Sequence, residues 1–444
     1  MTSAKPRIAI IGAGISGLGA AFALKDTAEV VVFEKRERLG GHACTVDVDY
    51  DGVKIPVDVG FIVYNTHNYK NLTPFFDHLG VETFESDMSF AVSDPNGYEW
   101  ASSAAGLFAW KRNLFDMDYL RLLLEILRFN DIARADLAAD TIPDVSLAAY
   151  LDQHGFSQLF RDAYLLPMGA AIWSTPEDKM LDYPAQSFIN FFENHRLMHK
   201  ERPTWRSVTG GSRSYVRLIE ELLADRVVKN CAINRVRPGA DGKVEIITET
   251  GETSLFDDVI LASHSDQSLS LLDNSYEDQR MALGSVRVSK NDVYLHRDPR
   301  LMPRRKSAWA SWNVMRAQEE DRVCVSYWMN RLQNLPKDKP LFVTLNPSEP
   351  PADALTFGHY TFDHPMFDAP ASAAQRTLRR IQGQDGLWFA GAWLGDGFHE
   401  SGLKSGLEAA LALGGRTPWT AENIQVHDKP RRTTPQKRQA SARL

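Results

Sequence analysis

The feature that most constrains the fold is a glycine-rich turn close to the N-terminus. An apolar run from Ile8 to Ile11 is followed by the sequence GAGISG, in which Gly12, Gly14 and Gly17 are spaced as GxGxxG, and then by an apolar, helix-like stretch. In a strand–turn–helix unit the first glycine permits the tight turn, the second lets a pyrophosphate approach the backbone, and the third permits close helix–strand packing. The N-terminus of the helix then directs free N–H groups at the phosphates. This segment predicts a dinucleotide-binding unit in a protein of the α/β class.

A second strand supports this prediction. The apolar run from Val30 to Phe33 ends at Glu34, which lies 20 residues past Gly14. A carboxylate at this point accepts hydrogen bonds from the ribose hydroxyls of a dinucleotide and disfavours a 2′-phosphate. These residues therefore favour NAD or FAD over NADP. The alternative interpretation is an ordinary glycine turn followed by a surface glutamate.

Later segments favour FAD. Residues 38–42 read RLGGH directly after the second strand, residues 57–60 read VDVG, and residues 209–211 read TGG before a helix-like stretch. From residue 387, the stretch LWFAGAWLGDGFHESGLKSGLEAA places a glycine turn between an apolar strand and a helix. These segments resemble the flavin-binding motifs of the flavin-containing amine oxidase and phytoene desaturase superfamily. The resemblance covers nearly the whole chain up to about Leu413.

The resemblance implies non-covalent FAD as the cofactor. Two positions depart from the superfamily pattern: His42 replaces the usual second arginine of RxGGR, and Ala392 replaces the acid expected after the FAG turn. Asp396 is a candidate to replace that acid, and His42, Cys44 and His67 are candidate covalent tethers on position alone. The predicted FAD-binding residues are Gly12, Gly14, Ile15, Ser16, Gly17, Glu34, Lys35, Arg38, Gly40, Gly41, His42, Gly60, Ile233, Gly391, Ala392 and Gly402.

The same resemblance implies a Rossmann-type FAD-binding domain interwoven with a mixed α+β substrate domain. The FAD-binding domain is expected in residues 1–75, 205–268 and 376–415, and the substrate domain in residues 76–204 and 269–375. Within the substrate domain, the stretch from Gly80 to Ala139 reads as mainly helical. Residues 416–444 are expected to form a disordered tail, because from Lys429 onward they carry six basic and no acidic side chains.

Several shorter phrases narrow the resemblance. GGHACTVD, VDVGFIVYN, MGAAIWS, YLHRD, HPMF and GFHESGL are similar to segments of a bacterial subgroup of FAD-binding, amine-oxidase-like proteins. Members are often encoded beside cyclopropane-fatty-acyl-phospholipid synthase-like methyltransferases, and part of the subgroup is linked to furan fatty acid synthesis. The resemblance implies a desaturase that converts a methyl-branched, monounsaturated acyl chain of a membrane phospholipid into a conjugated diene. A lipid methyltransferase would then act in the same pathway.

Other functions stay open at this point. A soluble flavin amine oxidase uses the same fold, and Tyr360 and Glu400 would suit an ammonium group. A carotenoid- or isoprenoid-type desaturase and a non-catalytic, FAD-dependent lipid-binding protein are further alternatives. The sequence holds no second glycine-rich strand–turn–helix unit for a nicotinamide cofactor, so electrons are expected to pass to oxygen or to another redox partner. It also holds no HExxH, CxxC or GxSxG motif, so neither a metal site nor a serine esterase is predicted.

Oxidation of a C–H bond by a flavin depends on the shape of the pocket more than on an acid–base triad. Side chains that could position the substrate or accept its second proton are expected where the superfamily motifs meet the flavin. The predicted catalytic residues are Glu400, His399, Tyr64 and Asn65, with His67, Tyr360 and His364 as further candidates. For each histidine the alternative is a structural hydrogen bond.

The charge and the apolar pattern of the sequence indicate where in the cell the protein is expected. Its 50 basic and 57 acidic side chains argue against a nucleic-acid binder, and its three widely spaced cysteines fit a reducing compartment. We expect a cytoplasmic protein, peripheral on the inner, anionic face of the cell membrane, held by its basic tail and by the aromatic, basic stretch 108–129. The alternatives are a solubilising tail and an ordinary core helix. A second aromatic cluster, Trp309, Trp312, Tyr327, Trp328 and Met329, could line an apolar tunnel, and a homodimer stays open.

Overall fold

The computed structural model describes residues 4–94, 98–173, 177–316 and 324–426. Its strands are β1 (Arg7–Ile11), β2 (Glu29–Phe33), β3 (Thr45–Tyr50), β4 (Val53–Asp58), β5 (Tyr64–Asn65), β6 (Thr83–Glu85), β7 (Phe90–Ser93), β8 (Glu99–Ala101), β9 (Trp205–Val208), β10 (Val227–Val228), β11 (Ile233–Pro238), β12 (Val244–Thr248), β13 (Thr253–Phe256), β14 (Asp258–Leu261), β15 (Val288–His296), β16 (Trp312–Met315), β17 (Cys324–Trp328), β18 (Phe342–Leu345), β19 (Thr356–Pro365) and β20 (Leu387–Phe389). Its helices are α1 (Ile15–Leu24), α2 (Leu72–Leu79), α3 (Ala104–Leu107), α4 (Met117–Ala138), α5 (Leu147–Gln153), α6 (Gln158–Phe160), α7 (Leu166–Trp173), α8 (Glu177–Met180), α9 (Ala185–Asn194), α10 (Arg213–Leu223), α11 (Ser265–Leu271), α12 (Glu277–Gly284), α13 (Met329–Leu332), α14 (Ala369–Arg380) and α15 (His399–Ala412).

A five-stranded parallel sheet forms the centre of the dinucleotide-binding half. Its strand order is β10-β2-β1-β14-β20, and Ile10 in β1 lies opposite Val32 in β2 and Ile260 in β14. The central strands are short runs of valine and isoleucine, as expected for parallel strands covered on both faces. One face packs against α1, α2, α10 and α15, and the other against α11, α12, α14 and the antiparallel strands β11–β13. Because all five strands run the same way, their carboxyl ends share one edge of the sheet.

A seven-stranded mixed sheet forms the other half. Its order is β19-β15-β18-β17-β16-β7-β8, in which β7 and β16 are parallel and the other pairs antiparallel. The helices from α4 to α9 pack with this sheet in the largest apolar core. The five strands of the parallel sheet all lie within residues 1–75, 205–268 and 376–415, and the seven strands of the mixed sheet within 76–204 and 269–375.

Two segments differ from the sequence-based expectation. The stretch from Gly80 begins with β6, β7 and β8 and becomes helical only at α3, because β7 finds its partner in the distant strand β16. The start of the predicted tail is packed: the Trp419 ring stacks on Phe22 at 5.9 Å and lies 5.5 Å from Phe75. Residues 427–444, with the six basic residues counted from Lys429 onward, lie outside the described residues. None of the described helices has the length and apolar character needed to cross a membrane.

Candidate active site

A cavity of about 690 Å³ begins at the carboxyl ends of β1, β2 and β14 and continues between α7, α9 and the seven-stranded sheet. Ligands of parallel α/β sheets bind at this end of the strands. Fourteen of the sixteen predicted FAD-binding residues line the cavity: Gly12, Gly14, Ile15, Ser16, Glu34, Lys35, Arg38, Gly40, Gly41, His42, Gly60, Ile233, Gly391 and Ala392. Gly17 and Gly402 do not line it.

The three glycines of the turn have three distinct environments. Gly12 has a φ of +106°, and a Cβ there would lie 2.7 Å from the carbonyl oxygen of Ala262. A Cβ on Gly14 would have no heavy atom within 4 Å, so this backbone faces open space where a pyrophosphate can approach. A Cβ on Gly17 would lie 1.9 Å from the carbonyl oxygen of Gly12, which explains why α1 can pack so closely on the turn. The geometry therefore fits the cradle of a dinucleotide.

Glu34 stands at the end of β2 and faces the cavity. Its Oε2 accepts a hydrogen bond from the backbone N–H of Ala13 at 3.0 Å, and its Oε1 accepts one from that of Arg36 at 3.0 Å. The side chain is 9% exposed, so these two bonds fix the carboxylate beside the glycine turn. A carboxylate held there is suited to the ribose hydroxyls of the adenosine half of FAD.

The segment after β2 forms a second turn that packs on the first. The guanidinium of Arg38 donates to the carbonyl oxygens of Leu39, Gly41 and Ala43, and so holds the turn in place. The backbone N–H of Gly40 donates to the carbonyl oxygen of Ala13 at 2.8 Å. Arg38 lines the cavity, but its guanidinium holds the turn together through these hydrogen bonds.

Three histidines lie together on the cavity wall. The ring of His42 lies 5.4 Å from that of His264 and 5.7 Å from that of His364. Burial lowers the pKa of all three, and that of His364 to about 4. The chain therefore presents neutral imidazoles at neutral pH, and one of them, His42, stands at the position of the second arginine of the RxGGR pattern. Imidazoles can still donate hydrogen bonds to a bound anion.

The second FAD motif lies at the other edge of the parallel sheet. Gly391 and Ala392 follow β20 and line the cavity, and α15 begins seven residues later at His399. A Cβ on Gly402 would lie 2.9 Å from Ile15 Cγ2, so this glycine permits α15 to approach α1 and does not face the cavity. Asp396, the candidate for the missing acid, lines the cavity, and burial raises the pKa of its carboxyl.

Of the predicted catalytic residues, His399 lines the cavity. Its ring stacks on Phe61 at 3.8 Å, and its Nε2 lies 2.6 Å from the hydroxyl of the buried Tyr215. Burial lowers the pKa of His399 to about 3 and raises that of Tyr215. The tyrosine therefore stays protonated, and its hydroxyl shares one hydrogen bond with the neutral imidazole. His399 is a fixed, neutral wall of the cavity.

The structure places the other three predicted catalytic residues outside the cavity lining. The Glu400 carboxylate accepts hydrogen bonds from the backbone N–H groups of Asn71 and Leu72 and from Asn71 Nδ2, at 2.7–2.9 Å, and so caps the N-terminus of α2. Tyr64 packs in the core, 5.3 Å from Phe76. The Oδ1 of Asn65 accepts from the backbone N–H groups of the second and third residues after it, a local turn. None of the three lines the main cavity, so the structure does not bring them to the predicted flavin site; Glu400 lines a smaller cavity beside it.

The far half of the cavity is apolar and aromatic. Of the predicted tunnel residues, Trp312 and Tyr327 line it, whereas Trp309 and Trp328 pack edge-to-face against each other at 5.5 Å. The charged residues that line the whole cavity are Glu34, Lys35, Arg36, Arg38, Arg202, Glu249, Asp363 and Asp396, and the first four of them directly follow β2. The apolar and aromatic lining includes Phe61, Tyr69, Met88, Phe90, Met168, Ile172, Trp173, Phe191, Trp205, Trp312, Tyr327 and Phe398.

His195 is a site residue that the sequence analysis missed. It follows α9, lines the main cavity and also lines an adjoining polar cavity of about 320 Å³. Its ring stacks on Phe191 at 3.8 Å, and its Nδ1 lies 3.0 Å from the carbonyl oxygen of the same residue. A carbonyl only accepts, so Nδ1 carries the proton and Nε2 keeps its lone pair. No motif marks this histidine, because its position depends on how α9 packs beside the cavity.

Comparison with known proteins places this geometry in a family. Residues 15–306 match the family described as flavin containing amine oxidoreductase. A lysine-specific histone demethylase 1B homolog of Caenorhabditis elegans is 26% identical over 303 residues, which cover 61% of this chain and 33% of that protein. The chain thus spans about a third of the length of this curated relative.

Two solved structures show the same fold. Cyclohexylamine oxidase from Brevibacterium oxydans aligns with a TM-score of 0.67 and 15% identity, over 92% of this chain and 98% of that one. The CLA-producing fatty acid isomerase from P. acnes aligns with a TM-score of 0.64 and 15% identity, over 93% and 99%. The family match covers more than half of the chain and begins at Ile15, within the glycine turn. The chain therefore belongs to the flavin-containing amine oxidoreductase family, and its cofactor is FAD.

Proposed function

We propose that this protein removes two hydrogens from an acyl chain. The observation that carries the proposal is the apolar, aromatic far half of the cavity, which continues directly from the dinucleotide cradle. Each buried methylene stabilises a bound chain by about 0.8 kcal/mol, so a few methylenes would hold one carbon in register. The fold is shared with a fatty acid isomerase, which supports an acyl chain as a ligand of this architecture.

The proposed substrate is a methyl-branched, monounsaturated acyl chain of a phospholipid, and the product is a conjugated diene. This narrower assignment is supported by the resemblance of several sequence phrases to a bacterial subgroup, part of which is linked to furan fatty acid synthesis. Bound FAD supplies a two-electron acceptor for the hydride. An allylic C–H is too weak an acid for a carboxylate to deprotonate first, so hydride departure leads and the methyl branch stabilises the positive charge that develops on the chain.

The protein then has to accept the second hydrogen as a proton. Burial lowers the pKa of His195 to about 4, so its imidazole is neutral at physiological pH and Nε2 is free to accept. A weak base suffices, because a C–H beside a developing cation is strongly acidic. The adjoining polar cavity, which His195 also lines, gives the proton a route toward solvent. His399 and Phe61, stacked on each other, serve as a rigid wall.

Amine oxidation is the second candidate. Asp363 and Asp396 line the cavity and could face an ammonium group, and the chain resembles amine-oxidising proteins in sequence and in fold. A flavin amine oxidase would use the same cradle and a different substrate contact. The two candidates therefore differ in ligand and not in cofactor.

Anaerobic reduction of the bound flavin separates them. The purified protein would be mixed without oxygen with dispersed membrane lipids containing the methylated monoene, and separately with a panel of mono- and polyamines. Bleaching of the flavin absorbance by the lipid alone is expected. Bleaching by an amine alone would assign the amine oxidase function, and bleaching by neither would favour a lipid-binding protein.

The diene is tested by co-expression with a lipid methyltransferase and mass spectrometry of the lipids. The product is expected to be two mass units lighter than the methylated monoene, since two hydrogens are lost. A His195→Phe variant keeps the stacking surface but has no proton acceptor, and it should load FAD normally while forming less diene. Accumulation of the methylated monoene despite FAD-loaded wild-type protein would contradict the desaturase assignment.

A further inference from the structure

Exposed apolar side chains are concentrated in one short stretch of the molecule. Five of the eleven large apolar side chains that are exposed in the described residues lie within residues 114–127. The most exposed is Phe115, at 87%. We define the α4 patch as these five residues: Leu114, Phe115, Met117, Leu124 and Leu127. A soluble surface rarely gathers so much apolar area without a partner.

Helix periodicity explains why the patch is unpaired. On α4, Met117, Leu124 and Leu127 project on one side, and Tyr119 and Leu122 project on the opposite side into the core. The buried side packs against α9, where Phe129 and Phe192 meet at 6.4 Å. The preceding residue of α9, Phe191, lines the cavity. A single helix, α9, therefore lies between α4 and the cavity.

Basic side chains surround the patch. Lys111, Arg112, Arg121 and Arg128 are exposed along the same stretch. Two more exposed basic residues, Arg304 and Lys306, lie near this stretch in the folded chain. Arg305, between them, lies 5.1 Å from the Trp110 ring, and Arg112 lies over the same ring at 5.6 Å.

The acidic side chains of this stretch are held in local contacts. Asp116 caps α4, Asp118 pairs with Arg121 at 3.3 Å, and Glu125 accepts hydrogen bonds from Ser157. In a chain with a net charge of −7, residues 111–128 carry four exposed basic and three acidic side chains, and Arg304 and Lys306 add two more exposed basic groups at this surface.

From this combination we infer that the α4 patch docks on an anionic phospholipid surface, with its apolar side chains in the headgroup region and its basic rim against the lipid phosphates. Protruding large apolar groups ringed by lysine and arginine are the pattern of an interfacial helix. The inference rests on the proposed function in one respect: an acyl substrate would be drawn from the same bilayer. The docking itself concerns the outer surface and is measured without the reaction.

The test is cosedimentation of the full-length, FAD-loaded protein with vesicles. Binding is expected to vesicles of phosphatidylcholine mixed with phosphatidylglycerol, and to be much weaker with phosphatidylcholine alone. A Phe115→Ser/Leu124→Ser double variant should bind roughly tenfold more weakly or worse, since two interfacial apolar groups are lost. The matched control is Met281→Ser, which removes a side chain that is 70% exposed on α12 and should change nothing.

Three results would overturn the inference. Equal vesicle binding by the double variant, with loss of binding only when Lys429, Arg431 and Arg432 are changed to glutamine, would assign membrane attachment to the C-terminal tail. A wild-type dimer that becomes a monomer on Phe115→Ser, with no vesicle binding by either, would show that a second copy covers the patch. Failure of wild-type protein to bind vesicles at any composition would exclude docking.

The proposed function can fail separately. Vesicle binding that depends on the patch, without flavin reduction by any lipid, would keep the docking surface and reject the acyl substrate. Flavin reduction by detergent-dispersed lipid that is equal in wild type and double variant, with no vesicle binding by either, would keep the substrate and reject the docking surface.

Discussion

The carboxylate of Glu400 satisfies three N–H groups at the start of α2, a helix whose own N-cap residue, Asn71, makes no side-chain cap. Backbone N–H groups at a helix start need an acceptor, and a charged one is stabilising there. Burial raises the pKa of Glu400, which these hydrogen bonds oppose. The residue therefore stabilises the fold at the polar cavity that adjoins the main one, and it is part of the lining of that smaller cavity.

Replacing this carboxylate tests its role. Glu400→Ala should lower the free energy of unfolding by about 1–3 kcal/mol, because three donors lose their acceptor. Glu400→Gln should cost less, since one acceptor oxygen remains. Denaturant unfolding measures both, and the flavin absorbance of the purified variants should stay at the wild-type level. Unchanged stability with loss of substrate oxidation would restore the original catalytic prediction.

The glycine turn gives a matched pair of variants. Gly14→Val should yield colourless protein, because the new side chain would occupy the open space where the pyrophosphate approaches. The free energy of unfolding of the apoprotein should fall by no more than about 1 kcal/mol, since φ at Gly14 is −76° and a Cβ there would have no heavy atom within 4 Å. Gly17→Ala should destabilise the fold itself by about 3 kcal/mol, because its Cβ would meet the Gly12 carbonyl. Flavin content and unfolding free energy are the two measurements. Stoichiometric FAD in Gly14→Val would show that the turn has been misplaced.

At the scale of elements, α1 and α15 form the contact that joins the two FAD motifs. Gly406 on α15 lies so close to α1 that a Cβ would be 2.0 Å from the carbonyl oxygen of Ser16, and a Cβ on Gly19 would meet the Leu403 side chain at 2.4 Å. Both helices begin at the cavity. Their spacing therefore sets the width of the cradle.

Gly406→Ala should separate the two helices. The expected cost is about 1–3 kcal/mol of unfolding free energy, together with weaker FAD retention, because Ile15 and Ser16 at the start of α1 line the cavity. Lys404→Ala, on the outer side of the same helix, is the control. Measured FAD dissociation that is unchanged in Gly406→Ala would show that helix spacing does not determine cofactor binding.

These elements also show what the sequence can and cannot predict. The glycine turn, Glu34 and the FAG turn could be placed because each follows its strand at a short, fixed distance, so local spacing determines where the backbone points. The place of Glu400 could not be predicted, because its neighbour His399 faces the main cavity while its own carboxylate points at α2, a difference that depends on the packing of α15. His195 was missed and β7 was read as helical for the same reason: each depends on a partner that is distant in the sequence.

At the scale of the whole molecule, several buried histidines are held neutral. Burial lowers the pKa of His195, His296 and His364 to about 4 and that of His399 to about 3. In an unfolded chain each would titrate near pH 6.5. Asp58 has the opposite effect on stability. Burial raises its pKa to about 6, so it becomes protonated as the pH falls, and this removes the cost of keeping its charge buried.

We therefore expect the protein to lose stability steeply in mild acid. Between about pH 6.5 and pH 4 these histidines are protonated in the unfolded chain but stay neutral in the folded chain. The free energy of unfolding therefore falls as the pH drops through this range, whereas above pH 6.5 it does not depend on these groups. His296 is the group to test, because it lies away from the cavity and its two ring nitrogens bond to Thr344 and to the backbone N–H of Asp298. Its share is on the order of 3 kcal/mol, since its pKa falls from 6.5 to about 4. His296→Gln should flatten the pH dependence of denaturant unfolding by close to one proton, whatever it does to stability at neutral pH. An unchanged slope would show that the acid sensitivity arises elsewhere.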